Sequence, residues 1–172
     1  MLRIHICHSS WQGEGQWREY SPQELGLYPS TSHSWEKKIV EIASSGSWST
    51  AKYYPLVMVE GRRRDCIWYM ETEGSHSWEI DLKEYGGYAE PYLALEAYGS
   101  GTVAGDWHYN LKPGEVYSAE RSFWGVTKGG FEDAAAQLNI FKRQDTEVIH
   151  KNGVPPVVFN DYMNCIWIDQ SP

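Results

Sequence analysis

The feature that most constrains this chain is a series of short apolar runs, each closed by turn residues after about ten positions. Leu2, Ile4 and Ile6 alternate with Arg3, His5 and Cys7, the period of a half-buried strand. Residues 36–43 hold Ile39 and Val40 and predict a second strand, and Ser44 to Ser49 is turn chemistry around Gly46. Tyr53 to Val59 and Cys66 to Met70 are two apolar runs divided by Gly61-Arg62-Arg63-Arg64-Asp65, so they predict a hairpin with a charged tip. Further strands are expected over Trp78 to Leu82, Tyr92 to Tyr98 and Ala119 to Gly125. Polar loops are expected from Ser9 to Arg18 and from Gly99 to Gly105, with a turn from Glu84 to Gly87. Pro113-Gly114 predicts a turn feeding a strand at Glu115 to Tyr117. Short strands at this spacing predict a mainly-β chain folded as an antiparallel β-sandwich.

The period then changes. Phe131, Ala134, Ala135, Leu138 and Phe141 share one helical face. Glu132 and Asp133 open this stretch and Lys142 and Arg143 close it, as the helix dipole favours. One helix is therefore expected over 131–143, followed by a polar connector from Asp145 to Gly153. Pro155 and Pro156 come next and forbid helix. Val157-Val158-Phe159 reads as a strand buried on both faces, as in parallel sheets. Asn160, Asp161, Tyr162 and Asn164 follow it directly. Polar groups at the carboxyl end of a buried parallel strand are where a (β/α) barrel builds its site, so these four are the candidate substrate-binding residues.

His5 and Cys7 share a strand face and His8 does not, and no second ligand pair completes a tetrahedral site, so no metal or cofactor is expected. Glu71 and Glu73 are two apart, as a carboxylate pair could be, yet solvated strand edges look the same. Arg62 to Arg64 read as a solvated turn. Ser32-His33-Ser34-Trp35-Glu36 echoes Ser75-His76-Ser77-Trp78-Glu79, which reads as two strands that begin alike. The chain has 9 Trp and 12 Tyr. Trp68, Trp78 and Trp124 fall in strands and read as core. Trp11, Trp17 and Trp107 fall in loops, where sugar contact and interdomain packing are both open.

The formal net charge of −8 argues against nucleic acid and anionic membranes as partners. Cys7, Cys66 and Cys165 are few and far apart, which reads as reduced buried thiols. The first residues contain no apolar signal segment, so a cytoplasmic protein is expected. Because the chain opens inside a strand, further residues are expected upstream.

Val157-Val158-Phe159-Asn160-Asp161-Tyr162-Met163-Asn164-Cys165 resembles the first barrel strand of glycoside hydrolase family 36, the bacterial-type α-galactosidases. Three upstream segments resemble that family's N-terminal β-supersandwich, in the same order. They are His8-Ser9-Ser10-Trp11-Gln12-Gly13-Glu14, Gly46-Ser47-Trp48-Ser49-Thr50-Ala51-Lys52-Tyr53-Tyr54-Pro55 and Leu111-Lys112-Pro113-Gly114-Glu115. Gly129-Gly130-Phe131-Glu132-Asp133-Ala134 resembles the helix that links sandwich to barrel. The resemblance spans nearly the whole chain. It implies a supersandwich domain over 1–126, a linker helix and connector over 127–153, and the start of a (β/α)8 barrel over 154–172.

The family implies a retaining hydrolase that removes terminal α-D-galactosyl residues from oligosaccharides, its sandwich helping to form homo-oligomers. Its nucleophile lies in a Lys-x-Asp motif on a later strand, and this sequence contains none. The resemblance therefore implies no catalytic residue in this chain, which alone is expected to be inactive. Tyr162 stands where relatives often have a Trp that lines the galactose pocket, with Asp161 and Asn164 beside it. The alternative is a non-catalytic carbohydrate-binding or oligomerisation module.

Overall fold

A computed structural model describes residues 1–27, 38–74, 76–85, 92–99, 108–149 and 157. The chain divides into two compact units, Met1–Gln137 and Leu138–Pro172. The first holds all eight described strands. β1 (Leu2–Ser10), β2 (Gly13–Tyr20), β4 (Tyr53–Gly61), β5 (Cys66–Thr72) and β8 (Ser122–Lys128) form a five-stranded sheet ordered β2-β1-β4-β5-β8. β3 (Ile39–Ser44), β6 (Trp78–Tyr85) and β7 (Tyr92–Tyr98) form a three-stranded sheet ordered β3-β6-β7. Every pairing is antiparallel. The helix α1 (Phe131–Ile149) follows the strands.

Strand alternation explains the core. In the larger sheet Ile4, Ile6, Val57, Val59 and Met70 point one way; in the smaller, Ile42, Trp78, Ile80 and Leu82 do, and these nine side chains form one buried cluster. The Trp78 indole N–H donates to the Ser49 carbonyl (2.6 Å), which satisfies its polar end inside that core. The other face of the larger sheet is also covered in part. Cys7 and Met58 are buried there, and the Phe131 ring meets His5 at 5.2 Å and Trp17 at 5.0 Å. So β1 is buried on both faces through its middle, where sequence alternation predicts one. Burial pushes the Cys7 thiol pKa up, which leaves it an inert packing group.

Several elements differ from the sequence reading. β2 lies where a polar loop is expected: its eight residues are mostly exposed, so no apolar alternation marks it, and its hydrogen bonds to β1 alone make it a strand. Glu115 to Tyr117 is no strand. The Lys112–Glu115 turn closes as expected, with Glu115 N–H donating to the Lys112 carbonyl (3.0 Å) and Gly114 at φ 87°, but Val116 beyond it has no sheet to pack on. The helix runs to Ile149, into the expected connector, so Lys142 and Arg143 lie inside it rather than at its end. β6 continues to Tyr85, into the expected turn. Val157 is exposed and outside any strand, where sequence predicts burial on both faces. Val158 and Phe159, the rest of that expected strand, lie outside the described residues.

Candidate functional site

The larger sheet is two strands wider than the smaller one, and the excess leaves a cleft. β8 lies at the sheet edge, so its inward residues have no opposing strand among those described. Trp124 is 60% exposed and Val126 59%. Their register partners on β5 are Met70 and Trp68. Trp68, Trp124 and Val126, with Tyr92 from the start of β7, line a cavity of about 840 Å³. That is the size of a small-ligand site. Gly61 makes room for the Trp68 indole: a β-carbon there would meet the ring at 2.9 Å.

The hairpin turn between β4 and β5 supplies the polar side of the cleft. The Arg64 N–H donates to the Gly61 carbonyl (2.8 Å), Asp65 adopts φ 49°, and the Gly129 N–H donates to the Asp65 carbonyl (3.0 Å). Asp tolerates this left-handed conformation better than most residues. Arg63 and Arg64 thereby line the cleft, and no lining residue is acidic. Arg62 serves elsewhere: its guanidinium holds Glu19 (3.0 Å) and Glu60 (3.2 Å).

That second cluster also contains the described residues' single grouping with metal-ligand spacing, His5, Glu19 and Glu60. His5 Nε2 lies 3.1 Å from Glu60 Oε2, and Arg3 binds Glu19 at 3.1 Å. Two guanidinium groups already neutralise both carboxylates, so a dication would have to displace them. The expected His5, Cys7 and His8 alternation holds, but His8 bonds the Tyr20 hydroxyl (2.8 Å) instead of joining His5. Burial first, then the Arg18 charge, holds His8 below its ordinary pKa.

A third polar group occupies the outer face of the smaller sheet. Glu79, Asp81, Lys83 and Tyr85 alternate along β6, and the register sets Asp81 between Glu41 on β3 and Glu96 on β7. The Lys83 ammonium binds Asp81 (3.0 Å), Glu96 (2.7 Å) and the Tyr98 hydroxyl (2.7 Å). The Tyr85 hydroxyl donates to Glu96 (2.8 Å), as does that of Tyr98. These bonds, Lys83's first, hold the Glu96 carboxyl down at about 2. They raise the Lys83 pKa in turn. Glu79 goes the other way. Burial, then a hydrogen bond with Asp81 and the charges of Asp81 and Glu41, push its carboxyl up to about 7. The buried Oδ1 of Asp81 has no hydrogen-bond partner. Glu79 and Asp81 lie two apart on one face of β6 with Lys83 beside Asp81, so the raised Glu79 carboxyl sits inside a charged sheet face.

The sequence candidates fare unequally. Asn160, Asp161, Tyr162 and Asn164 lie outside the described residues, as do Trp107, Cys165 and the Ser32 to Glu36 copy of the internal echo. Glu73 is bound to Arg121 (2.8 Å). Trp78 is core as expected, Trp11 is 74% exposed, and Trp17 packs on Phe131. Trp124 is the correction: read as core from its strand, it is a cleft wall because that strand is an edge. Only the sheet order could have revealed this. No helix among the described residues is long and apolar enough to cross a membrane. Comparisons of the chain with protein-family models, with curated proteins and with solved structures return no match.

Proposed function

We propose that this chain is part of a retaining α-galactosidase resembling glycoside hydrolase family 36, which hydrolyses terminal α-D-galactosyl residues of oligosaccharides. The observation that carries this reading is order. Segments resembling the family's sandwich, linker helix and first barrel strand occur in sequence, and two antiparallel sheets followed by α1 fit that order. On this reading the two sheets form a β-sandwich of the supersandwich type, and residues 154–172 begin a (β/α)8 barrel. Asn160, Asp161, Tyr162 and Asn164 line the galactose pocket, while nucleophile and acid/base come from strands that this sequence does not contain. The negative charge supports a neutral substrate over nucleic acid.

The test is hydrolysis of p-nitrophenyl α-D-galactopyranoside. The polypeptide encoded by the extended reading frame is expected to turn it over, and the 172-residue chain is not. Turnover by the 172-residue chain alone, or an extended frame without a Lys-x-Asp strand, would sink the proposal. In the extended enzyme, Tyr162→Ala is expected to raise KM.

A second reading, non-catalytic carbohydrate binding, is favoured by one observation: the open cleft walled by Trp68, Trp124 and Tyr92. Aromatic faces hold the apolar C–H faces of sugar rings. The two readings can coexist in one polypeptide.

A further inference from the structure

The cleft runs against the charge of the chain as a whole. The protein has a formal net charge of −8, yet the cleft is lined by two arginines and no acidic residue. Arg63 and Arg64 are exposed, and among the described residues neither makes an ion pair. Arg62 beside them is fully engaged by Glu19 and Glu60. A single uncommitted guanidinium on a surface is ordinary. Here two stand at one rim of a groove with indole walls, and backbone hydrogen bonds to Gly61 and from Gly129 fix the turn that carries them.

We infer that this cleft binds an oligosaccharide bearing anionic substituents, carboxylate or sulfate. Its ring faces rest on Trp68, Trp124 and Tyr92, and its charged groups meet Arg63 and Arg64. The inference rests on the carbohydrate-binding reading. A guanidinium fork fits either anion in bidentate fashion, which a neutral sugar cannot exploit. The remaining negative charge of the protein opposes this weakly, because charges beyond a Debye length of about 8 Å are screened at physiological salt. What the ligand meets at contact is the local pair of cations. The walls contribute the rest: Trp124 and Tyr92 are each about three-fifths exposed in the unliganded protein, so large apolar faces become covered on binding.

The test is titration calorimetry on the 172-residue chain with three probes: trigalacturonate, its methyl-esterified neutral form, and a sulfated galactotriose. At least one anionic probe is expected to bind about tenfold or more tightly than the neutral ester at low salt, with the advantage shrinking at high salt. The double variant Arg63→Ala/Arg64→Ala should remove that advantage and spare the ester's affinity. Trp124→Ala should weaken all binding about tenfold or more, as loss of an aromatic anchor does. Unchanged thermal transitions would show that both variants fold, which their exposure favours. Equal affinity for acid and ester, or no effect of the Arg variant, overturns the anionic class while carbohydrate binding stands. Failure of all three probes to bind overturns both. The tighter of the two anionic probes identifies the substituent.

Discussion

Glu79 shows how a single side chain can set a pH response for the fold. Its carboxyl titrates at about 7 in the folded chain, chiefly because it is buried, against about 4.3 for an exposed Glu. Between these two values the folded state holds a proton that the unfolded state has released. Stability is therefore fully present below the unfolded pKa and is lost as pH rises through about 7. Denaturant midpoints across that window should fall with rising pH, and Glu79→Gln should flatten the profile. A wild-type midpoint that rises over the same range would refute this account. Lys83 and Glu96 stay charged through that window, and His8, held below its ordinary pKa, acts with the opposite sign, so the difference between wild type and Glu79→Gln, rather than the raw slope, reports Glu79. A reader of the sequence sees only alternating charge along β6. The shift arises from burial first and then from Asp81 and Glu41, which the register of β3 on β6 brings close.

Elements were legible where burial follows a period and illegible where it does not. β4, β5, β7 and the start of α1 show their pattern in the residues, and the hairpin forms as its charged tip predicts. β2 shows no pattern, because an edge strand whose residues are mostly exposed needs no apolar alternation. The candidate cleft was illegible for the same reason: Trp124 looks identical in a central strand and in an edge strand. Pairing of β5 with β8 depends on a close approach. Gly125 sits opposite Tyr69, and a β-carbon at Gly125 would lie 2.1 Å from that ring. Gly125→Ala is accordingly expected to destabilise the fold by about 1–3 kcal/mol through overpacking. Thermal melting checks this, and an unchanged melting temperature would show that Tyr69 can move aside.

At the scale of the molecule, the buried cluster shared by both sheets carries the stability. Ile80 is fully buried in the central strand of the smaller sheet. Ile80→Ala should cost about 2–5 kcal/mol, part of it from the cavity left behind. Equilibrium unfolding that shows under 1 kcal/mol would mean the layers relax around the hole. The sheet order also has a consequence for how the chain is made. β1, β2, β4 and β5 can pair as soon as they emerge from the ribosome, but the far edge of β5 waits for β8, whose pairing joins Cys66 to Lys128. At about 5–20 residues per second, that edge stays open for seconds of synthesis. An unpaired strand edge beside the Trp68 indole is a template for association with other nascent chains. The interval between β5 and β8 is thus the window in which a chaperone would matter most to this protein.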